Sequence, residues 1–163
     1  MLNAFKPPLY IRLSPVRLTV RNVKTGEFIS EPPEIAISRG PKEKILGVGD
    51  EAALHRSSKS AQVINPFAHP RSMMSDFTAG QAVVKAFVRK LRKSGLFAPA
   101  PRVVFHPQGD PAGGFTQVEI RAFREMALGA GASDVIVWQG QDLSDAQVLS
   151  RHYPPTGRVL DEA

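Results

Sequence analysis

Apolar and polar positions alternate along Leu9–Arg21, where Leu9, Ile11 and Leu13, then Val16, Leu18 and Val20, fall on one side of the alternation. A period of two in a stretch rich in β-branched residues predicts strands, and Ser14-Pro15 places a break between two of them. Lys24-Thr25-Gly26 is turn chemistry and Glu27–Ile29 a returning strand, so the chain opens on an antiparallel hairpin. After Pro32-Pro33 come two further short strands, Glu34–Ser38 and Lys44–Val48, separated by Gly40-Pro41. Asp50–Lys59 reads as a short helix with Asp50 at its N-cap.

The period then changes to that of a helix. Val84, Phe87, Val88 and Leu91 recur at i, i+3, i+4 and i+7 and predict a helix over 79–93. The Thr78-x-x-Gln81 spacing of a capping box marks its start, and Gly95 its end. Arg102–His106 reads as a buried strand and 107–115 as a loop. Thr116–Leu128 is a second helix, with a Thr116/Glu119 capping box and an apolar stripe of Ile120, Phe123 and Ala127. Val135–Trp138 is another apolar strand. Strand, helix and strand in this order predict a parallel pair joined by a crossover. The stretch after about Leu149 reads as a tail. The pattern as a whole is α/β, a mixed sheet with helices against it.

Composition narrows the class. The 163 residues include no cysteine, so neither a disulfide framework nor a thiolate metal site is available, and a reducing, cytoplasmic setting is expected. Pro7-Pro8 breaks any signal-peptide core near the start, and no apolar run approaches the ~18 residues of a membrane span. The net charge of +6 is uneven. Residues 61–105 hold seven basic residues against Asp76, while residues 106–163 are net acidic. Much of the excess lies on the 79–93 helix, whose face of Lys85, Arg89, Arg92 and Lys93 is the candidate partner-binding surface. A solvated helix face is the ordinary reading. Nucleic acid or an anionic membrane surface is the functional one, weakened by the absence of aromatics interleaved with those charges.

Tests for catalysis are negative. The glycine-rich loop 107–115 has neither G-x-G-x-x-G nor a Gly-Lys-Ser/Thr ending. His55, His69, His106 and His152 show no metal-ligand spacing, and there is no G-x-S-x-G elbow.

The order of segments nevertheless resembles the rod shape-determining MreB family of bacterial actin-like proteins. The resemblance runs through Phe28–Ile37, Ile45–Ala52, Ile64–Pro66, Ser75–Lys90, Pro101–Phe105 and Thr116–Val135, within about residues 10–141. Its most specific part is a Val-Glu-x-Arg-Ala-x-Arg-Glu-x-Ala-x-Gly-Ala-Gly-Ala pattern, met at Val118, Glu119, Arg121, Ala122, Arg124, Glu125, Ala127 and 129–132. The resemblance implies an actin-like, ribonuclease-H-like first domain over 1–149, with a small inserted subdomain at about 33–75 and a tail at 150–163. It also implies relatives that bind ATP between two domains and polymerise into filaments that organise wall synthesis.

The departures fall where the resemblance places ATP chemistry. The family's first phosphate loop, Asp-Leu-Gly-Thr-Ala-Asn-Thr, aligns with Arg12-Leu13-Ser14-Pro15-Val16-Arg17-Leu18. Arg12 replaces a carboxylate that helps hold magnesium, Ser14 a glycine, Pro15 a residue with an N–H to donate, and Arg17 an asparagine. About six residues, 109–114, are inserted before the second helix, Gln117 replaces an acid, and Gln139-Gly140-Gln141 stands for Glu-Glu-Pro. Set against the resemblance, the second phosphate loop, the adenine pocket and the second domain are expected to be missing. The expectation is therefore a truncated, degenerate MreB-like protein. It would have no catalytic, cofactor or metal residues and would act in cell shape through protein contacts, with an MreB-type filament or with itself. Two alternatives stand beside it, a basic-surface binding module and one half of a split ATP-binding protein.

Overall fold

In the computed structural model, residues 6–69, 75–92 and 99–162 are described. The expected strands form β1 (Pro8–Leu13), β2 (Leu18–Asn22), β3 (Phe28–Glu31), β4 (Ile35–Ser38) and β5 (Ile45–Val48). There follow α1 (Asp50–Ala53), β6 (Ala61–Ile64), α2 (Phe77–Leu91), β7 (Arg102–Pro107), α3 (Gln117–Gly129), β8 (Asp134–Gln139), α4 (Asp145–Ser150) and β9 (Arg158–Glu162).

A six-stranded sheet has the order β3-β2-β1-β7-β8-β9. The hairpins β1–β2 and β2–β3 are antiparallel, whereas β7 lies parallel to both β1 and β8. Register sets the faces: Ile11 stands opposite Val20 on one side and Phe105 on the other. Leu9, Ile11 and Leu13 thereby share one buried face with Val103, Phe105, Val135 and Val137. α2 and α3 cover that face with Val84, Phe87, Phe123 and Met126. The helices approach closely because Gly80 has no side chain: a Cβ there would lie 2.6 Å from Met126 Cε and 3.0 Å from the Phe67 ring. A second, three-stranded sheet of order β5-β4-β6 follows β3 in the chain, and Ile35 and Val48 join it to the same core.

The opposite face of the large sheet carries Tyr10, Val104 and Trp138, and it is closed by Leu143, Val148 and Tyr153. These last residues belong to a stretch without a clear period. The expected tail is therefore corrected: β9 pairs antiparallel with β8, Ile136 opposite Glu162 and Gln139 opposite Arg158. Arg158–Glu162 has no strand pattern of its own, and the edge of β8 supplies its hydrogen-bond partners. α4 is held by a bidentate contact in which Arg21 Nε and Nη2 donate to Asp145 at 2.9 and 2.7 Å.

Two helix starts also differ from expectation. The capping box of α3 forms as the spacing predicts, Glu119 N donating to Thr116 Oγ1 at 3.1 Å and Thr116 N to Glu119 Oε1 at 3.0 Å. In α2, however, Asp76 is the N-cap and accepts from Ala79 N at 3.0 Å. Ser75 is tied back to Pro66 O through both its N and its Oγ, which places Asp76 at the helix entrance and puts Thr78 inside the first turn. α1 is a single turn capped by Gly49, and Asp50 is its first helical residue.

Candidate functional site

The parallel strands β1, β7 and β8 open at their C-terminal ends onto three connections, the 14–17 turn, the 108–116 loop and the 140–143 loop. Such ends are where α/β sheets gather ligands. The first connection is a tight hairpin turn. Ser14 N donates to Arg17 O at 2.9 Å and Arg17 N to Ser14 O at 3.4 Å. Val16 N and Arg17 N donate to Ser14 Oγ at 3.3 and 3.1 Å. Pro15 has no N–H, and its carbonyl accepts from Asn65 Nδ2 at 2.6 Å. Every backbone N–H of residues 14–17 is thus used within the turn.

Arg12 and Arg17 are not brought together. Arg12 Nη1 donates to Asp142 Oδ2 at 3.0 Å, beyond β8, and its guanidinium lies 5.8 Å from the centre of the Tyr10 ring. Arg17 turns toward β3, donating to Ser30 O at 3.0 Å. Asp142 also accepts from Gln108 Nε2 at 2.8 Å, so it spans β1 and β7 from the loop.

Beneath Asp142 lies a buried polar chain that no local motif announces. His106 Nε2 is 2.9 Å from Gly140 O, which can only accept, so this nitrogen carries the ring proton. His106 Nδ1 then accepts from the Tyr10 hydroxyl at 2.6 Å, and Tyr10 Oη accepts from Leu143 N at 3.0 Å. Every member is satisfied with a neutral imidazole. Burial holds the His106 pKa below its ordinary value, against the pull of Asp142 and of the Gly140 hydrogen bond. Burial likewise pushes the Tyr10 phenol up to about 12. The chain welds the 140–143 loop to β1 and β7. It links residues 96 and 133 positions apart, which periodicity cannot detect.

The Glu119 carboxylate accepts the N-cap N–H of α3, and Gly114 N donates to Pro111 O at 2.8 Å within the 108–116 loop. Among the described residues no group of three or more His, Asp or Glu is placed to hold a metal ion. On α2, Lys85 and Arg89 are exposed and make no ion pair among the described residues. Arg92 Nη2 donates to Pro99 O at 2.7 Å, and Lys93 lies outside the described residues. Lys90 turns inward, donating to Val48 O at 3.1 Å.

Comparison with known proteins supplies the context for this geometry. A family model described as MreB/Mbl protein matches residues 9–144. The cell shape-determining protein MreB of Haemophilus influenzae is 32% identical over 136 residues, covering 80% of this chain and 37% of that protein. Its counterpart in Pasteurella multocida is 35% identical over 115 residues, covering 68% of this chain and 31% of that protein. The chain thus spans about a third of the length of these curated relatives. Among solved structures, MreB5 of Spiroplasma citri bound to AMPPNP superposes with a TM-score of 0.65 at 18% identity, over 81% of this chain and 38% of that one. A non-polymerising A278D mutant of MamK bound to AMPPNP gives 0.62 at 14% identity, over 81% and 41%. At these identities the structural likeness speaks for the fold. Residues 145–162, with α4 and β9, lie beyond the family match.

Proposed function

The chain belongs to the MreB/Mbl family of actin-like, cell shape-determining proteins, and from that premise we propose that it works through protein contacts without hydrolysing ATP. The observation that carries this reading is the 14–17 turn. A phosphate-binding loop works by aiming free backbone N–H groups at the anion. Here three of the four N–H positions are used inside the turn and the fourth is proline. Arg12 adds to the argument. It stands where the family resemblance implies a magnesium-holding carboxylate, and its charge is engaged by Asp142. The residues present do not fit a magnesium–triphosphate at this turn.

Isothermal titration with ATP and magnesium tests the reading. No saturable heat is expected, and binding tighter than about 10 μM would overturn it. The protein-contact half needs its own measurement. In the proposed setting, the cytoplasm, the partner is a filament of an MreB-type protein or a second copy of this chain. The chain is expected to co-sediment with filaments of a full-length MreB protein, or to self-associate, in the absence of nucleotide. A chain that stays monomeric and in the supernatant across nucleotide states would remove that half.

A further inference from the structure

A cavity of about 680 Å³ opens beyond the C-terminal ends of β7 and β8. One wall is the glycine loop that follows β7, with Asp110, Gly113 and Gly114. The other is Gly140 after β8, together with Gly157 and Arg158 at the start of β9. No residue of 12–18 lines it. Part of the lining, 156–158, lies beyond the family match at 144, whereas Gln139 and Gly140 lie within it, as does the glycine loop that the resemblance marks as an insertion. The cavity thus lies outside the 14–17 turn, at the C-terminal end of the sheet where Gln139 and Gly140 stand for the family's Glu-Glu-Pro.

Its charges are unmatched. Arg158 makes no ion pair among the described residues, and its Nε and Nη2 rest 3.4 Å from Gln139 Oε1, a neutral acceptor. Asp110 on the glycine loop makes neither an ion pair nor a hydrogen bond among the described residues. These two opposite charges both line the cavity and form no ion pair with each other. Glycine at 113 and 114, with φ of 82° and 78°, leaves backbone rather than side chain on the wall, and a Cβ at Gly114 would lie 3.6 Å from Arg158 Nη2. A cavity of this size with a few convergent polar groups suits a small molecule.

We propose that this cavity binds a small zwitterion of amino-acid to short-peptide size, its carboxylate on Arg158 and its amine on Asp110. Arginine presents parallel N–H donors to a carboxylate, and a carboxylate accepts from an ammonium. A ligand with both ends therefore satisfies what the fold leaves open. A simple dianion is disfavoured, because Asp110 would face it.

The test is an amide NMR titration of the full chain with trialanine in EDTA and without nucleotide. Trialanine blocked by acetylation and amidation, and inorganic phosphate, serve as controls. Saturable shifts are expected at the amides of Gly113, Gly114, Gly140 and Gly157, with blocked trialanine and phosphate at least about tenfold weaker. Asp110→Asn and Arg158→Gln should each weaken trialanine binding about tenfold. The loop position of Asp110 makes its variant informative even if Arg158→Gln loosens β9. Absence of shifts at these glycines, equal binding of the blocked peptide, or binding indifferent to Asp110→Asn would each overturn the proposal. EDTA and the absence of nucleotide keep this outcome independent of the ATP titration.

Discussion

Replacing Trp138 with alanine is expected to lower the unfolding free energy by about 3–5 kcal/mol, among the largest effects of any single substitution in this chain. The indole is 1% exposed and packs with Tyr10, Val104, Leu143 and Val148 on the second face of the sheet. Its ring stacks on Tyr153 at 5.5 Å between centroids, and its Nε1 donates to Gln141 O at 3.0 Å. Two glycines, Gly140 and Gly157, press directly against it, so closely that a Cβ at either would overlap the ring. Neither has a side chain to fill the space that alanine would leave, which puts the cost toward the upper end. Trp138 is the single tryptophan, so the measurement is urea unfolding followed by far-UV circular dichroism rather than fluorescence. Trp138→Phe, which keeps a ring but loses the donor to Gln141, should fall between the two. A cost below about 2 kcal/mol for alanine would mean that the 141–157 segment is anchored elsewhere.

The second large effect concerns the polar chain beneath that segment. Tyr10→Phe removes one oxygen and strands two buried partners, His106 Nδ1 and the Leu143 N–H. Leaving a buried polar group unpaired costs about 1–3 kcal/mol, so a loss of about 2–4 kcal/mol is expected in urea unfolding. The same chain makes stability depend on pH. Burial places the His106 pKa below its ordinary 6.5 in the folded state, and the unfolded chain therefore binds the proton first. Stability rises with pH wherever the unfolded state holds more protons. The contribution is thus complete above about pH 6.5 and is lost as pH falls from there toward the folded-state pKa, at up to about 1.4 kcal/mol per pH unit.

The groups facing His106 are Tyr10, Asp142 and, more distantly, Arg12. Asp142 Oδ1, 3.9 Å from Nδ1, opposes the loss only in part. Asp145, whose carboxyl is held low by the hydrogen bonds from Arg21, contributes in a separate and more acidic window, losing its effect as pH falls below its ordinary 3.8. Unfolding curves at about pH 7.5 and about pH 5.5 separate the two contributions. His106→Gln should flatten the change between those values, and an undiminished slope in that variant would assign it to another group.

These two effects arise from the part of the molecule that local sequence pattern reads least well. Leu9, Ile11 and Leu13 announce a strand by themselves, because a sheet face repeats every two residues whatever lies across from it. Val84, Phe87 and Val88 announce a helix for the same kind of reason. The Thr116/Glu119 box is legible because its donor and acceptor lie three residues apart, in reach before any tertiary contact forms. Thr78 and Gln81 have the same spacing and are misleading, since the tie of Ser75 to Pro66 starts the helix two residues earlier than their pattern implies. Arg12 was conspicuous as a departure from the family's phosphate loop, but its pairing with Asp142 spans 130 positions.

By itself, then, the sequence determined the periodic elements and the altered residues of the 14–17 turn, which are written in neighbours a few positions apart. It also determined the parallel β7–β8 pair and the family resemblance, which follow from the order of those elements and segments along the chain. Only the tertiary structure decided that Arg158–Glu162 is a strand, that Asp76 caps α2, that Arg12 and Arg17 point apart, and that Tyr10, His106 and Leu143 form one hydrogen-bonded chain. For the strand, the two arginines and the hydrogen-bonded chain the deciding partner lies well outside the local pattern, and for α2 it is the tie of Ser75 back to Pro66 that sets the helix start.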